Sequence, residues 1–219
     1  EKAILLIRLA GSPLFINITF QHTMGKHFWL LPVAAAGLVL AACGTHVMPK
    51  GCTLNGHTSM TEYDMAYLTD LQRQRLDSTV LNDGNFSFEV ADSVTQPFAL
   101  IVQLVDNEQA DALLEMPLMV ENGHISLEIG EYIQTAGTPL NEGIQQFLNE
   151  LQTCKDELAG RKDITPQEIG IKMSNFYKQQ ILLNKSNALG HYIYHDYGAH
   201  LTPTDREEVK TQLTQSTIN

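Results

Sequence analysis

Apolar and polar residues follow one another in short runs from Cys52 to about Tyr132, with turn residues between the runs. Residues 85–90 alternate most regularly, which places Phe86 and Phe88 on one face of a strand. Residues 98–105 form a more continuous apolar run, typical of a central strand buried on both faces. The same spacing predicts further strands at 53–56, 64–68, 76–81, 117–120, 124–129 and 132–134.

Two turn sequences interrupt these runs. Asn82-Asp83-Gly84 contains the Asp-Gly pair that supplies the positive φ angles of tight hairpins, and Glu121-Asn122-Gly123 is a second turn of this kind. We therefore expect a hairpin at each. Tyr63 and Tyr67 could line a ligand or partner surface on the predicted sheet, although packing in the core is the favoured interpretation.

After residue 140 the apolar spacing becomes helical. Asn141 is the expected N-cap of a first helix, and Thr165 and Glu168 form a capping box around Pro166 that predicts a second helix reaching about residue 184. Asn187 and Thr204 are the expected starts of two more helices. The stripe that predicts the first helix consists of Ile144, Phe147, Leu148 and Leu151. The fold class is therefore predicted as α+β: an N-terminal antiparallel β-sheet or sandwich domain over residues 52–140, followed by a helical segment over residues 141–219 that leads to a linker.

The segment before this domain has the pattern of a secretion signal. Residues 24–42 combine a basic start, a short apolar run and small residues, and the apolar run is too short to span a membrane comfortably. Leu40-Ala41-Ala42-Cys43 resembles a bacterial lipobox, in which cleavage before the cysteine is coupled to its lipidation. The alternative is a buried core helix that ends in Cys43. We expect a lipoprotein signal peptide, a lipid on Cys43 and a tether over residues 43–51.

Residues 1–23 precede the natural start at Met24 and are interpreted as an upstream extension. The alternative for this stretch is a first membrane segment. From Cys43 onward the sequence has 11 basic and 24 acidic residues, a formal charge of −13. An acidic body repels nucleic acid, so no nucleic-acid partner is expected.

Candidate chemistry is sparse. Cys52 and Cys154 have no redox-motif spacing, and either a disulfide between them or two separate thiols is compatible with the sequence. His191 and His195 lie four apart on a predicted helix, a spacing that allows two imidazoles to share a metal, but no H-E-x-x-H glutamate lies between them. They are weak metal candidates only. No catalytic residue and no cofactor is predicted, and the protein as given is not expected to be an enzyme.

The order of the turns and strands resembles a known lipoprotein architecture. It is similar to a domain of unknown function that lies between the lipobox and the thioredoxin-like domain in TlpA/AhpC-type thiol-disulfide oxidoreductases of Gram-negative bacteria. The segments that carry this resemblance are 54–56, 76–80, 83–88, 120–123 and 137–141. In that family the active-site cysteines belong to the following thioredoxin-like domain, which the sequence does not include.

The resemblance implies a non-catalytic, lipid-anchored module of the cell envelope that acts in spacing, docking or substrate selection. The alternative is a stand-alone lipoprotein that binds a ligand or glycan. The expected partners are the membrane, through the lipid on Cys43, and a protein or peptide. In the lipoproteins that this sequence resembles, an acidic run after the cysteine is associated with surface export, and residues 44–50 lack one. The resemblance therefore implies a location at the outer membrane, facing the periplasm.

Overall fold

The computed structural model describes residues 50–106, 113–130 and 132–217. Eight strands precede the helices, which confirms the α+β class. The strands are β1 (Cys52–Thr58), β2 (Met65–Thr69), β3 (Arg75–Val80), β4 (Asn85–Ala91), β5 (Phe98–Val105), β6 (Leu113–Val120), β7 (Gly123–Ile129) and β8 (Ile133–Ala136). The helices are α1 (Pro139–Ala159), α2 (Pro166–Leu183), α3 (Ala188–Tyr197) and α4 (Pro203–Thr217), with a 3₁₀ turn (Gly198–His200) after α3.

The strands form two four-stranded sheets. The first sheet has the order β4-β1-β7-β8 and the second has the order β3-β2-β5-β6. All neighbours are antiparallel except β1 and β7, which run parallel. The hairpin expected at Glu121-Asn122-Gly123 is absent, because β6 pairs with β5 while β7 crosses to the first sheet. This turn therefore passes the backbone from one sheet to the other.

The turn after β3 has the predicted local geometry but a different role. Asp83 and Gly84 have φ angles of 50° and 76°, and Asn82 and Asn85 exchange two backbone hydrogen bonds of 2.9 Å. Two consecutive positive φ angles are the hallmark of a tight two-residue turn. However, β3 and β4 belong to different sheets, so this turn too connects the sheets instead of closing a long hairpin.

Both sheets and the helices contribute to one hydrophobic core. Strand β5 is buried on both faces from Leu100 to Val105, as predicted, because it lies between β2 and β6 and α3 packs across it. Helix α1 packs on β6 and β8 through its predicted apolar stripe, in which Ile144, Phe147, Leu148 and Leu151 are all buried. The helical half is thus attached to the second sheet and to the edge of the first.

Two helix starts differ from the prediction. The N-cap of α1 is Thr138, and Asn141 lies in the first turn of the helix, fully buried. Helix α4 begins at Pro203, and the hydroxyl of Thr202 accepts a hydrogen bond from the Asp205 N–H, so Thr204 does not cap it. The capping box of Thr165 and Glu168 is present as predicted.

The two tyrosines for which core packing is the favoured interpretation have different environments. Tyr63 is buried in the core, whereas Tyr67 is half-buried and lies under the Arg75 guanidinium, whose Cζ is 3.8 Å from the ring centroid. Within the described residues, no helix combines the length and apolar character needed to cross a membrane.

Candidate functional site

The loop between β2 and β3 carries Arg73, whose side chain contacts β6 and α3. Asp70 shapes this loop, since its carboxylate accepts hydrogen bonds of 2.8 Å from the N–H groups of Gln72 and Gln74. Arg73 has a φ of 65°, a left-handed conformation that costs a non-glycine residue roughly 1 kcal/mol or more. Its Nη1 donates to the Leu71 carbonyl over 2.7 Å. The loop therefore holds the guanidinium in one place despite the unfavourable backbone angle.

Arg73 joins the second sheet to α3. It forms a two-point ion pair with Glu115 on β6, and its Nη2 lies 3.5 Å from Oδ2 of Asp196 on α3. Gln103, which is opposite Glu115 in the β5–β6 register, donates to the same carboxylate over 2.8 Å. Burial opposes the charge of Arg73, but these two carboxylates outweigh it and raise the pKa of Arg73 above its ordinary value.

Asp196 also contacts two other residues of α3. The Nδ1 of His195 lies 2.9 Å from its Oδ1, and Tyr192, whose side chain is buried, hydrogen-bonds to it. Burial raises the pKa of Tyr192 well above its ordinary value, and the charge of Asp196 adds to this effect. Tyr192 therefore stays a neutral hydrogen-bond donor at every physiological pH. The network of Arg73, Gln103, Glu115, Tyr192, His195 and Asp196 links the second sheet to α3, and we call it the polar joint.

An open cleft of about 600 Å³ lies beside this joint. Its walls come from the β2–β3 loop, α3, the 3₁₀ turn and α4, through Leu71, His191, Tyr194, His195, Gly198, Ala199 and Arg206. Arg206 reaches back from α4, where Nε donates to the Gly198 carbonyl over 3.2 Å and Nη2 donates to the Ala199 carbonyl over 2.9 Å. It thereby donates to two carbonyl groups of the 3₁₀ turn that follows α3.

The weak metal candidates His191 and His195 both line this cleft. Arg206 lies in the same cleft, and its permanent positive charge disfavours a bound cation. In the described part of the protein, no group of three or more His, Cys, Asp or Glu side chains is arranged to hold a metal ion. The structure thus brings the two histidines together with an arginine and a tyrosine, and with no third ligand.

The remaining residues singled out from the sequence are the lipobox and two cysteines downstream of it. Leu40, Ala41, Ala42 and Cys43 lie outside the described residues. Cys52 is buried in β1 and Cys154 is half-buried on α1, and both are free thiols. Burial is the main cause that raises the pKa of each thiol, which keeps both protonated and weakly nucleophilic near neutral pH.

Sequence reasoning missed Arg73, Gln103, Glu115 and Arg206. A signal for two of them was present, since Gln103 and Glu115 are polar residues inside the apolar stretches of β5 and β6. A polar side chain at such a position needs a buried partner. Arg73 and Arg206 had no comparable signal, because each lies in a polar stretch where an arginine is ordinarily solvated.

Comparison with known families gives one match. Residues 52–143 match the model of a domain of unknown function (DUF4369), a segment that includes all eight strands and the first turn of α1. No curated protein matches the sequence.

Proposed function

We propose that the protein is a lipid-anchored module of the cell envelope, the non-catalytic N-terminal part of a thiol-disulfide oxidoreductase-like lipoprotein. Its role is spacing, docking or substrate selection. The observation that carries this proposal is the order of two segments: a lipobox-like sequence that ends at Cys43, followed closely by the match to DUF4369 at residues 52–143. The link to a thioredoxin-like partner domain rests on the resemblance in the order of turns and strands.

The contacts made by the buried polar side chains of the described residues support a docking role. Arg73, Glu115 and Asp196 hold the helices on the second sheet, and both thiols have raised pKa values. No buried side-chain polar atom in this part of the protein lacks a hydrogen-bond partner. The buried polar side chains therefore serve to hold the fold together. A rigid fold suits a module that positions another polypeptide.

In this proposal the anchor is an acylated Cys43, and the protein faces the periplasm from the outer membrane. Each buried methylene contributes roughly 0.8 kcal/mol to membrane binding, so several acyl groups make a stable anchor. Residues 43–51 act as the tether between the membrane and β1. The expected partner is a protein or peptide in the same compartment.

A second candidate function is a stand-alone binding lipoprotein for a ligand or glycan. The cleft between the β2–β3 loop and α3 favours it, because concave surfaces with a few polar groups are the usual ligand sites. The two candidates differ in what the gene encodes downstream. A C-x-x-C thioredoxin-like domain in the same reading frame supports the first, and an in-frame stop codon soon after residue 219 supports the second.

Metabolic labelling with a fatty acid tests the anchor. The unmodified precursor, when expressed in a Gram-negative host, is expected to carry label and to sediment with the outer membrane. Cys43→Ala is expected to lose both, whereas Cys154→Ala, which removes a thiol from α1, is expected to keep both. A Cys43→Ala protein that still carries label would rule out the proposed anchor.

A further inference from the structure

The cleft beside α3 contains several polar side-chain atoms that the fold does not use. Arg206 donates through Nε and Nη2 only, which leaves Nη1 without a hydrogen bond to any described residue. His191 and the Tyr194 hydroxyl have no hydrogen-bond partner among those residues, and the Nε2 of His195 has none either. These four polar groups, three on α3 and one on α4, thus line one concave surface.

The charge around the cleft favours an anion. Arg206 is permanently charged, and His191 offers at least one N–H in either protonation state. The N–H of a neutral His195 lies on Nδ1, which faces Asp196, so the Nε2 of His195 donates into the cleft only when the ring is protonated. Asp196, which lies in the network beside the cleft, is already paired with Arg73 at 3.5 Å and hydrogen-bonded to the Nδ1 of His195 at 2.9 Å. The rest of the protein is acidic, with a formal charge of −11 for the whole sequence. A donor-rich cleft on an acidic protein can attract an anion that other surfaces repel.

The apolar part of the cleft indicates what the anion is attached to. Leu71, Ala199 and the ring of Tyr194 line the same cleft, and the Tyr194 ring lies close to Gly198. Three of the donor residues, His191, His195 and Arg206, are exposed, so a compact small molecule would remain largely in water. An extended peptide is able to cross an open groove and place one side chain on the apolar part.

We propose that this cleft binds a carboxylate on an extended polypeptide segment, with the carboxylate at Arg206 and His191 and an adjacent apolar side chain on Leu71 and Tyr194. The carboxylate is either that of a polypeptide C-terminus or that of an Asp or Glu side chain. This inference rests on the docking role proposed above and specifies its chemistry.

Peptide binding to the full-length protein in detergent micelles tests the proposal, with fluorescence anisotropy as the readout. Three fluorescein-labelled pentapeptides of otherwise equal sequence are compared: one ends in leucine with a free α-carboxylate, one is its amide, and one is the amide with an internal glutamate. We expect the amide to bind at least about tenfold more weakly than one of the two carboxylate peptides, since charge-assisted hydrogen bonds are among the strong ones. The carboxylate peptide that binds more tightly identifies the source.

A charge-reversal variant tests the location. His191→Glu places a negative charge in the cleft at an exposed position and is expected to weaken binding of the carboxylate peptide at least about tenfold. Asn175→Glu introduces the same negative charge at an exposed position of α2 outside the cleft and is expected to bind normally. Equal binding of all three peptides, no binding of any, or unchanged binding by His191→Glu would each overturn the proposal. Fatty-acid labelling reports on the anchor separately, so the failure of one proposal is distinguishable from the failure of the other.

Discussion

The Arg73 guanidinium contacts both carboxylate oxygens of Glu115, with Nε 3.3 Å from Oε1 and Nη2 3.2 Å from Oε2. The two residues lie on different elements, the β2–β3 loop and β6, and Asp196 brings α3 to the same guanidinium. Fork-to-fork pairing of this kind fixes orientation as well as distance. The joint therefore sets how the helical half sits on the second sheet, and with it the shape of the neighbouring cleft.

Removing this arginine is expected to destabilise the fold. Arg73→Ala leaves the Glu115 carboxylate, whose side chain is only 10% exposed, without its main cation. Loss of one partner of a fully buried pair costs about 3–5 kcal/mol. Because the Arg73 side chain is 26% exposed, we expect about 2 kcal/mol in the free energy of unfolding, as measured by urea denaturation.

Two comparison variants separate the effect of the buried ion pair from that of the Arg73 backbone angle. Arg161→Ala removes the exposed pair with Asp163 and is expected to leave the urea midpoint unchanged. Arg73→Gly removes the same guanidinium but relieves the φ of 65°, so it is expected to be more stable than Arg73→Ala by about 1 kcal/mol. An Arg73→Ala midpoint equal to that of the unmodified protein would show that the ion pair does not hold the joint.

Asp205 is expected to make the stability depend on pH in the acid range. Hydrogen bonds from Lys178, Ser174 and Thr202 lower the pKa of this carboxyl from 3.8 to about 2. The unfolded protein therefore takes up this proton at a higher pH than the folded protein does. The stabilisation is complete above the unfolded pKa of 3.8, and it is lost as the pH falls from there to about 2.

Urea midpoints measured from pH 6 down to pH 2 test this effect. Asp205→Asn is expected to be less stable than the unmodified protein at the upper end of this range, and the difference is expected to shrink on acidification. Glu208→Gln removes the other, exposed carboxylate contact of Lys178 and is expected to keep the acid dependence. A constant difference across the range would mean that Asp205 does not titrate as described.

The secondary structure was predictable from sequence, while the pairing of the elements was not. Alternation and capping residues are local signals, so the capping box at Thr165 and each of the eight strands were found, although the prediction for β6 covered only 117–120 of Leu113–Val120. The turn at Asp83-Gly84 has the predicted dihedral angles, yet the strands it joins enter different sheets. A turn fixes the direction of the backbone over two residues, whereas the pairing partner of a strand depends on burial across the whole domain.

The candidate site was less predictable for the same reason. Arg73 and Glu115 are 42 positions apart, and Asp196 lies on a helix of the C-terminal half. No periodicity connects such positions. His191 and His195 were found because a spacing of four is local, but their neighbour Arg206, which changes the preferred ligand from cation to anion, belongs to another helix.

Two glycines are expected to respond to alanine in opposite directions. Gly84 has a φ of +76°, and an added Cβ would lie 2.1 Å from the Thr58 carbonyl oxygen. Gly84→Ala therefore combines backbone strain with a clash and is expected to destabilise by about 3 kcal/mol. Gly170 lies within α2 with no atom within 4 Å of the added Cβ, so Gly170→Ala is expected to stabilise by about 1 kcal/mol. Thermal unfolding measures both, and a stable Gly84→Ala variant would show that this turn can relax.

Asn141 is expected to be one of the most sensitive positions in the fold. It is fully buried in the first turn of α1, where its amide oxygen accepts from the Met119 N–H over 3.0 Å. Its amide nitrogen donates to the Met119 carbonyl over 2.7 Å and to the Thr138 hydroxyl over 2.8 Å. One side chain thus satisfies both backbone groups of a residue on the outer strand β6 of the second sheet and binds the N-cap of α1.

Asn141→Ala leaves these three groups without partners in the interior. Each unsatisfied group costs roughly 1–3 kcal/mol, and partial relaxation lowers the sum, so we expect a loss of about 3 kcal/mol in the free energy of unfolding. Asn175→Ala makes the same substitution at an exposed position of α2 and is expected to change stability little. Hydrogen exchange of the Met119 amide adds a local measurement, since this N–H should exchange faster in Asn141→Ala and at the original rate in Asn175→Ala. Unchanged protection of Met119 in Asn141→Ala would mean that the strand does not depend on this amide.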